Sequence, residues 1–263
     1  MDLQLKYKKA FISGSTEGIG YAIAEKLVQE GAEVILNGRS EDKLHHAITK
    51  LREKFPDAKV EGIIADFSDA TSVNHLIESL PEVDILVNNV GVFEFRNAKD
   101  CTDEDWNKNF QINFLSATQL TQKVLEKMIS KNEGRILFIG SEYAQNINPD
   151  SIQYGVTKAA VSAYANGISK LTKNTKVTVN TILAGATYSE GVAKAIQYFA
   201  HSQGVTEEEM KKQFFAKGNP NSLLGRYLDT DEVANVATFL VSPLSLAING
   251  ATIRVDAGNN PYL

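Results

Sequence analysis

The stretch Ser13-Gly14-Ser15-Thr16-Glu17-Gly18-Ile19-Gly20 decides how the rest of this chain folds. A short apolar run precedes it, and residues 21–30 follow with apolar side chains at helical spacing. A strand, a glycine-rich turn and a helix in this order present free backbone amides and a positive helix end to a phosphate group. Gly14 permits the tight turn, while Gly18 and Gly20 leave room for close approach. The stretch therefore predicts a nucleotide-binding turn, although a plain strand-to-helix turn has the same pattern.

Short apolar runs alternate with helical patterns along the rest of the chain. The predicted strands are residues 10–13, 33–36, 59–65, 84–87, 135–139, 177–183 and 251–255. This alternation predicts an α/β fold with about seven parallel strands, doubly wound, with helices on both faces. Ser68 is the expected N-cap of a helix at 69–80, and residues 103–131 are expected to form a long helical stretch. Asn113 lies in the apolar part of that helix, so it is either a satisfied core asparagine or a functional one.

The special residues fall where predicted strands end, which is the edge at which open α/β sheets bind ligands. The second strand is followed by Arg39, at the place where a dinucleotide fold meets the adenosine ribose. A guanidinium suits a 2'-phosphate, so the sequence favours NADP over NAD. Glu41 and Asp42 follow closely and can compete for the arginine.

Composition limits the classes of partner. The formal net charge is −5, with 22% charged residues, which provides no basic face for nucleic acid. Cys101 is the single cysteine and the four histidines have no metal-binding spacing, so we expect no metal site. No apolar run approaches the roughly 20 residues of a membrane span, and the N-terminus lacks a signal-peptide core. We expect a cytoplasmic protein.

Tyr154 and Lys158 form a pair at helical spacing i to i+4, within a helix predicted at 154–170. This spacing brings the phenol and the ammonium onto one helical face. A neighbouring cation favours the charged phenolate, so the pair can act as an acid or a base near neutral pH. On its own, the pair is equally typical of a helix surface.

Together these residues resemble the short-chain dehydrogenase/reductase family, which carries a TGxxxGIG loop and a YxxxK pair. The resemblance covers residues 10–258. Ser13 stands where the family usually has threonine, Val90 replaces the alanine of its NNAG stretch, and Ala184 replaces a proline. The resemblance implies a single-domain Rossmann fold over residues 1–263.

The resemblance also implies an activity, which is hydride transfer between a nicotinamide cofactor, NADP preferred, and a small-molecule carbonyl or alcohol substrate. The catalytic positions that it implies are Asn113, Ser141, Tyr154 and Lys158. The implied cofactor contacts are Gly14, Ser15, Thr16, Gly18, Ile19, Gly20, Arg39, Asp66, Phe67, Asn89, Gly91, Tyr154, Lys158, Gly185, Thr187 and Ser189.

The implied roles are distinct. Tyr154 exchanges the proton, and Lys158 lowers the pKa of that tyrosine while holding the nicotinamide ribose. Ser141 donates a hydrogen bond to the reacting oxygen. Asn113 holds a water that links Lys158 to solvent.

Residues 188–222 are longer than a simple connection and carry apolar and aromatic side chains. They are expected to form either a substrate lid or a helix contact. Glu142, Tyr143, Gln145 and Ile147 are expected to line the pocket.

A rival interpretation is a dinucleotide-binding regulatory or scaffold protein without turnover. The four intact catalytic positions favour the enzyme. The family implies a homo-oligomer, most often a tetramer.

Overall fold

The computed structural model describes residues 1–94 and 96–261. The predicted single domain also includes Phe95, Tyr262 and Leu263, which lie outside the described residues. The strands are β1 (Lys9–Ile12), β2 (Glu33–Gly38), β3 (Val60–Ile64), β4 (Ile85–Asn88), β5 (Gly134–Ser141), β6 (Val177–Ala184), β7 (Thr187–Tyr188), β8 (Leu228–Asp229) and β9 (Thr252–Val255). The α-helices are α1 (Gly18–Gln29), α2 (Glu41–Lys54), α3 (Ala70–Ser79), α4 (Asp103–Phe110), α5 (Ser116–Lys131), α6 (Ile152–Ser169), α7 (Glu190–Gln203), α8 (Glu207–Gly218) and α9 (Thr230–Leu240).

Seven of the strands form one parallel sheet in the order β3-β2-β1-β4-β5-β6-β9. The strands β7 and β8 pair separately. The chain runs outward from β1 to β3 and then restarts on the other side of β1 at β4. The carboxyl ends of β1 and β4 therefore border the crevice at which such sheets bind ligands. The predicted parallel sheet of about seven strands is confirmed.

The core has two layers because successive side chains of a strand point to opposite faces. Ala10 and Ile12 pack into a cluster with residues of α1, α2 and α9. Phe11 packs into a second cluster, with residues of α3, α5 and α6. These three side chains of β1 are fully buried on both faces, which confirms the doubly wound arrangement.

The predicted N-cap of α3 is wrong. The helix α3 is capped by Asp69, whose carboxylate accepts from the N–H of Thr71 at 3.0 Å. Ser68 instead donates its hydroxyl to the carboxylate of Asp66 at 2.7 Å. The helical stretch expected at 103–131 is confirmed, with α4, a π-helical turn (Gln111–Leu115) and α5 following one another directly.

The helices α7 and α8 make up most of the segment 188–222. Ile196, Ala200 and Met210 are buried between them, and the rings of Phe199 and Phe214 lie 5.3 Å apart. These apolar side chains therefore form a small core within the segment. The interpretation as a helix contact holds for them, and we call residues 188–222 the lid segment below.

Candidate active site

The turn from β1 to α1 has the backbone that its glycines were expected to allow. Gly14 and Gly18 have φ angles of +60° and +67°, in the left-handed region that favours glycine. A Cβ at Gly14 would lie 3.1 Å from the Cα of Val90, and a Cβ at Gly20 would collide with the side-chain amide of Asn89. The glycines therefore bring this turn against the end of β4.

Ser13 and Asn89 bind these two strand ends together. The Ser13 hydroxyl oxygen accepts from the N–H groups of Asn89 at 3.0 Å and Val90 at 3.1 Å. The amide of Asn89 donates to the carbonyl oxygens of Ser13 at 3.0 Å and Gly14 at 2.8 Å. A serine thus supplies the oxygen that the usual threonine would supply. The amide nitrogen of Asn89, a predicted cofactor contact, is used to hold the turn.

The first turn of α1 can bind an anion. Within residues 1–94 and 96–261, the N–H groups of Ile19 and Gly20 have no acceptor. The N–H of Gly18 donates to the carboxylate of Glu190 at 2.8 Å. Unpaired amides at a helix N-terminus bind phosphate, so this turn fits the pyrophosphate of a dinucleotide.

Ser15 and Thr16, two further predicted cofactor contacts, lie differently. The Ser15 side chain is fully buried, where its hydroxyl donates to the carbonyl oxygen of Ile12 at 2.7 Å. It also accepts from the N–H of Asn37 at 3.0 Å. The Ser15 hydroxyl therefore supports the turn from inside, whereas Thr16 remains at its surface beside Gly38.

The expected adenosine end of the site lies at the ends of β2 and β3. Arg39 is exposed and, within the described part of the chain, forms no salt bridge with Glu41 or Asp42. The carboxylate of Asp66 accepts from the N–H and hydroxyl of Ser68, which lowers the pKa of Asp66, with a smaller contribution from Arg39. The ring of Phe67 is buried in the core, so only its backbone can reach a cofactor.

Ser141 and Tyr154 come together as predicted. Ser141 is the last residue of β5, and Tyr154 lies in the first turn of α6. Their hydroxyl groups lie close enough for Ser141 to lower the pKa of Tyr154. The ring of Tyr154 meets Phe93 edge-on at 4.9 Å and Tyr143 at 6.3 Å. Burial among these groups raises the pKa of Tyr154 to about 12, against the lowering effect of Ser141.

Lys158 follows one helical turn later and is buried. Its ammonium donates to the carbonyl oxygen of Ile139 at 2.8 Å and lies 5.7 Å from the centre of the Tyr154 ring. Burial lowers the pKa of Lys158 to about 8. The expected lowering of the Tyr154 pKa by this lysine is not found in this structure, in which burial is the largest influence on that pKa and Lys158 is not among the causes. A Cβ at Gly91 would lie 3.2 Å from the Lys158 ammonium, so the glycine leaves that side of the lysine open.

Asn113 lies in the π-helical turn with its side chain satisfied. Its carbonyl oxygen accepts from the N–H of Val92 at 2.7 Å, and its amide donates to the carbonyl oxygen of Val92 and to the hydroxyl of Thr157, both at 3.1 Å. The side chain thus joins the loop after β4 to α6. This matches the core-asparagine interpretation, while the water-holding role stays a prediction.

Sheet pairing, close packing and a hydrogen bond fix the connection from β6 to the lid segment. Ala184 pairs with Ser141 on one side and Val255 on the other, so the sheet fixes its backbone without a proline. A Cβ at Gly185 would lie 2.7 Å from the Cα of Asp256, which requires glycine there. The Thr187 hydroxyl donates to the carbonyl oxygen of Gly185 at 2.9 Å. Ser189 caps α7, but its hydroxyl hydrogen is free to donate to a ligand.

The expectation that Glu142 lines the pocket is wrong. It directly follows Ser141, but instead of lining the pocket its side chain is buried and accepts from the amide of Asn259 at 2.7 Å. Burial raises the pKa of Glu142 to about 7. No role for Asn259 or Glu190 follows from the sequence. In the sequence, the position of Glu142 next to Ser141 was the one available signal for a role of this acid. Its partner Asn259 lies 117 residues away.

The comparisons with known proteins agree with this geometry. A sequence model described as short chain dehydrogenase matches residues 8–198. Two similar proteins of Bacillus subtilis (strain 168) are named uncharacterized oxidoreductases. YvrD is 42% identical over 261 residues and YvaG is 39% identical over 258 residues, each with 98% of both chains covered.

A solved structure extends the similarity to the whole chain. L-Sorbose reductase from Gluconobacter frateurii, crystallised with NADPH and L-sorbose, has a TM-score of 0.93 at 27% identity, with 100% of both chains covered. In the part of our chain that the structure describes, no helix is long and apolar enough to cross a membrane. Over the same residues, no group of three or more His, Cys, Asp or Glu side chains is placed to hold a metal ion.

Proposed function

The chain belongs to the short-chain dehydrogenase/reductase family and is a nicotinamide-dependent oxidoreductase, and from this premise we propose that it reduces a ketone with NADPH, using Tyr154 as the general acid. The observation that carries the proposal is that the side chains of Ser141 and Tyr154 lie together, with buried Lys158 one helical turn further on. The regulatory or scaffold alternative does not fit a family member whose relatives are named oxidoreductases.

We favour the direction of reduction because the phenol of Tyr154 is protonated and can act as a general acid. Burial raises the pKa of Tyr154, so this group is protonated at neutral pH and is ready to act as an acid. It gives its proton to the carbonyl oxygen of the substrate. Ser141 donates a hydrogen bond to the same oxygen and stabilises the charge that develops there. When bound, NADPH supplies the hydride to the carbonyl carbon.

Lys158 holds the cofactor in this proposal. One of its three N–H donors is used by the carbonyl oxygen of Ile139, which leaves others for the hydroxyls of the nicotinamide ribose. Gly91 leaves this side of the lysine open, because any larger residue would place a Cβ against the ammonium. The free amides of Ile19 and Gly20 bind the pyrophosphate, and Ser189 donates to the nicotinamide carboxamide.

The choice of NADPH rests on Arg39. Its guanidinium is exposed and forms no salt bridge within the described residues, so it can bind a 2'-phosphate without first breaking an ion pair. The nearby carboxylate of Glu17 is already bound by Lys43 at 3.1 Å and Lys194 at 3.3 Å, which reduces its repulsion of a phosphate. The sorbose reductase structure with NADPH supports the same cofactor.

Aromatic side chains surround the phenol group at which the substrate would bind. Phe93 and Tyr143 pack edge-on against Tyr154, and 43% of the surface of Phe93 is exposed. We infer a ketone with an apolar face next to its carbonyl group, since such a face covers exposed ring surface.

We also propose a cytoplasmic homotetramer. Leu115, Leu171 and Leu244 are large apolar side chains at the surface, which a symmetric assembly would cover. The free thiol of Cys101 suits a reducing compartment. Light scattering on the purified protein measures the assembly directly.

The decisive experiment follows the absorbance of NADPH, and separately of NADH, with the purified protein over a panel of ketones, acyl thioesters and sugars. We expect oxidation of NADPH with at least one ketone. Tyr154→Phe is the matched control, since it keeps the ring contacts and removes the proton donor. If this variant retained wild-type turnover, Tyr154 would not be the acid.

A further inference from the structure

The buried carboxylate of Glu142 joins elements that are far apart in the chain. It accepts from the side-chain amide of Asn259 at 2.7 Å, and the backbone N–H of Ala186 lies close enough to lower the pKa of Glu142. Glu142 itself directly follows Ser141, and only 5% of its surface is exposed. This carboxylate therefore joins the residue after Ser141 to the turn after β9, and it lies beside the backbone that leads into the lid segment.

Both ends of the lid segment lie near this carboxylate or near its partner Asn259. Ala186 lies just before the first residue of that segment. At the other end, the amide of Asn259 also donates to the side-chain oxygen of Asn219 at 3.2 Å, and Asn221 donates to Asn259 from its backbone at 3.3 Å and its side chain at 3.2 Å. Through Asn259, the end of α8 and the residues after it are connected to the same carboxylate as the start of the lid segment.

The charge on Glu142 is costly to the fold. Burial, together with the nearby carboxylate of Asp256 in the turn after β9, raises its pKa to about 7. The phenols of Tyr143 and Tyr154 also lie near it, and Arg254 lies 3.7 Å from the carboxylate of Asp256. Within the described residues, Glu142 itself forms no salt bridge. A buried acid without a cationic partner lowers stability when it ionises. In return, the negative charge strengthens the hydrogen bond that the carboxylate accepts from Asn259.

We propose that Glu142 is a positioning residue whose carboxylate fixes both ends of the lid segment over Ser141 and Tyr154, and so determines the affinity for the ketone. This inference rests on the proposed function for its kinetic consequences, although the position of the lid segment is measurable without turnover.

The substitution Glu142→Gln tests the proposal at nearly constant volume. Glutamine keeps one acceptor oxygen and replaces the other with an N–H donor, so it can accept from Asn259 or face the N–H of Ala186, but it cannot do both. Hydrogen bonds to a charged group are worth enough to change an equilibrium about tenfold or more. We expect the KM for the ketone to rise about tenfold, with a smaller change in kcat and an unchanged Kd for NADPH. The Tm should not fall, because a buried charge has been removed.

The double variant Glu142→Gln with Asn259→Asp reverses the pair. In that background the introduced glutamine no longer faces a donor, because the introduced aspartate accepts from its amide while its oxygen still accepts from the N–H of Ala186. The introduced aspartate cannot donate to the side-chain oxygen of Asn219 as Asn259 does, so we expect this variant to recover only part of the wild-type KM. Glu133→Gln is the matched control: Glu133 pairs with Lys8 at 2.7 Å, at the far end of β5, so its loss should leave the KM unchanged.

Amide hydrogen exchange separates this inference from the proposed function. We expect Glu142→Gln to increase exchange over residues 186–222 severalfold, while Glu133→Gln does not. In the wild type, the same increase and a rising KM should appear as the pH falls below about 7, where the carboxylate is protonated. Unchanged exchange in the lid segment of Glu142→Gln would overturn the inference, whether or not any ketone is reduced. Failure of every ketone, with increased exchange, would overturn only the proposed function.

Discussion

The ammonium of Lys158 lies 2.8 Å from the carbonyl oxygen of Ile139, on the strand that ends in Ser141. This bond joins α6 to β5 from within the core, since only 4% of the lysine surface is exposed. The acceptor is a backbone carbonyl group, which is present whichever side chain stands at position 139. The same helix carries Tyr154, so the bond also sets the distance between the phenol and Ser141.

Replacing Lys158 with methionine should keep the helix and abolish function. The methionine chain fills most of the same space without placing a charge in the core. We expect kcat/KM for ketone reduction to fall by at least about 100-fold and the Kd for NADPH to rise, because the ribose loses its donor. Lys170→Met, at the end of α6, is the control. A variant with methionine at this position and full activity would show that the lysine is only structural.

The rate of reduction should depend on pH through Lys158. Burial lowers its pKa to about 8, below the ordinary 10.5, so the ammonium is present below pH 8 and is lost as the pH rises through that value. We expect kcat/KM to fall about tenfold per unit above pH 8 if this single proton is required. The pH profile at saturating NADPH measures it. A profile flat from about pH 7 to 10 would contradict the assignment.

Loss of the same proton affects stability with the opposite sign. A lysine with a lowered pKa in the folded state is disfavoured while charged, so the fold gains stability from this group as the pH rises from about 8 to 10.5. The activity and the stability contributions of Lys158 therefore move in opposite directions over that range.

Much of the sheet follows from the sequence because each strand is a short apolar run bounded by turn residues. The edge carrying the site follows as well, since parallel strands place their carboxyl ends together. The order β3-β2-β1-β4 then brings the turn after Ser13 to Asn89, as the structure shows.

What the sequence could not provide depends on distant or backbone partners. The acceptor for Lys158 is a carbonyl group, which every residue has, so no side-chain pattern marks it. Glu142 would ordinarily be exposed, and its burial depends on Asn259, 117 residues later. Ser68 and Asp69 are both good N-caps, and the choice between them is made by the bonds of Ser68 to Asp66. The π-helical turn around Asn113 has no local signal comparable to a proline or a glycine.

Arg39→Asp should reverse the cofactor preference. The guanidinium forms no salt bridge in the described part of the chain, so its loss removes a phosphate ligand and little else. An aspartate repels the 2'-phosphate and accepts from the ribose hydroxyls of NADH. We expect the Kd for NADPH to rise about 10- to 100-fold while that for NADH does not rise. Fluorescence titration measures both, with Arg39→Lys as an intermediate control that keeps the charge. Equal effects on both cofactors would contradict a 2'-phosphate contact.

Ser13→Ala should destabilise the whole domain, because this hydroxyl joins the turn after β1 to the end of β4. The side chain is fully buried, and its oxygen accepts from two backbone N–H groups, those of Asn89 and Val90. Alanine leaves both donors without a partner, which costs about 1–3 kcal/mol for a buried group. Urea unfolding should show that loss of stability. The binding of NADPH should also be weaker.

The control is Ser130→Ala, since Ser130 is exposed and its hydroxyl donates only to the carbonyl oxygen of Lys127 at 2.9 Å. We expect a change within about 0.5 kcal/mol there. Equal stabilities of the two variants would mean that water satisfies the donors at Asn89 and Val90, and that the turn does not depend on the serine.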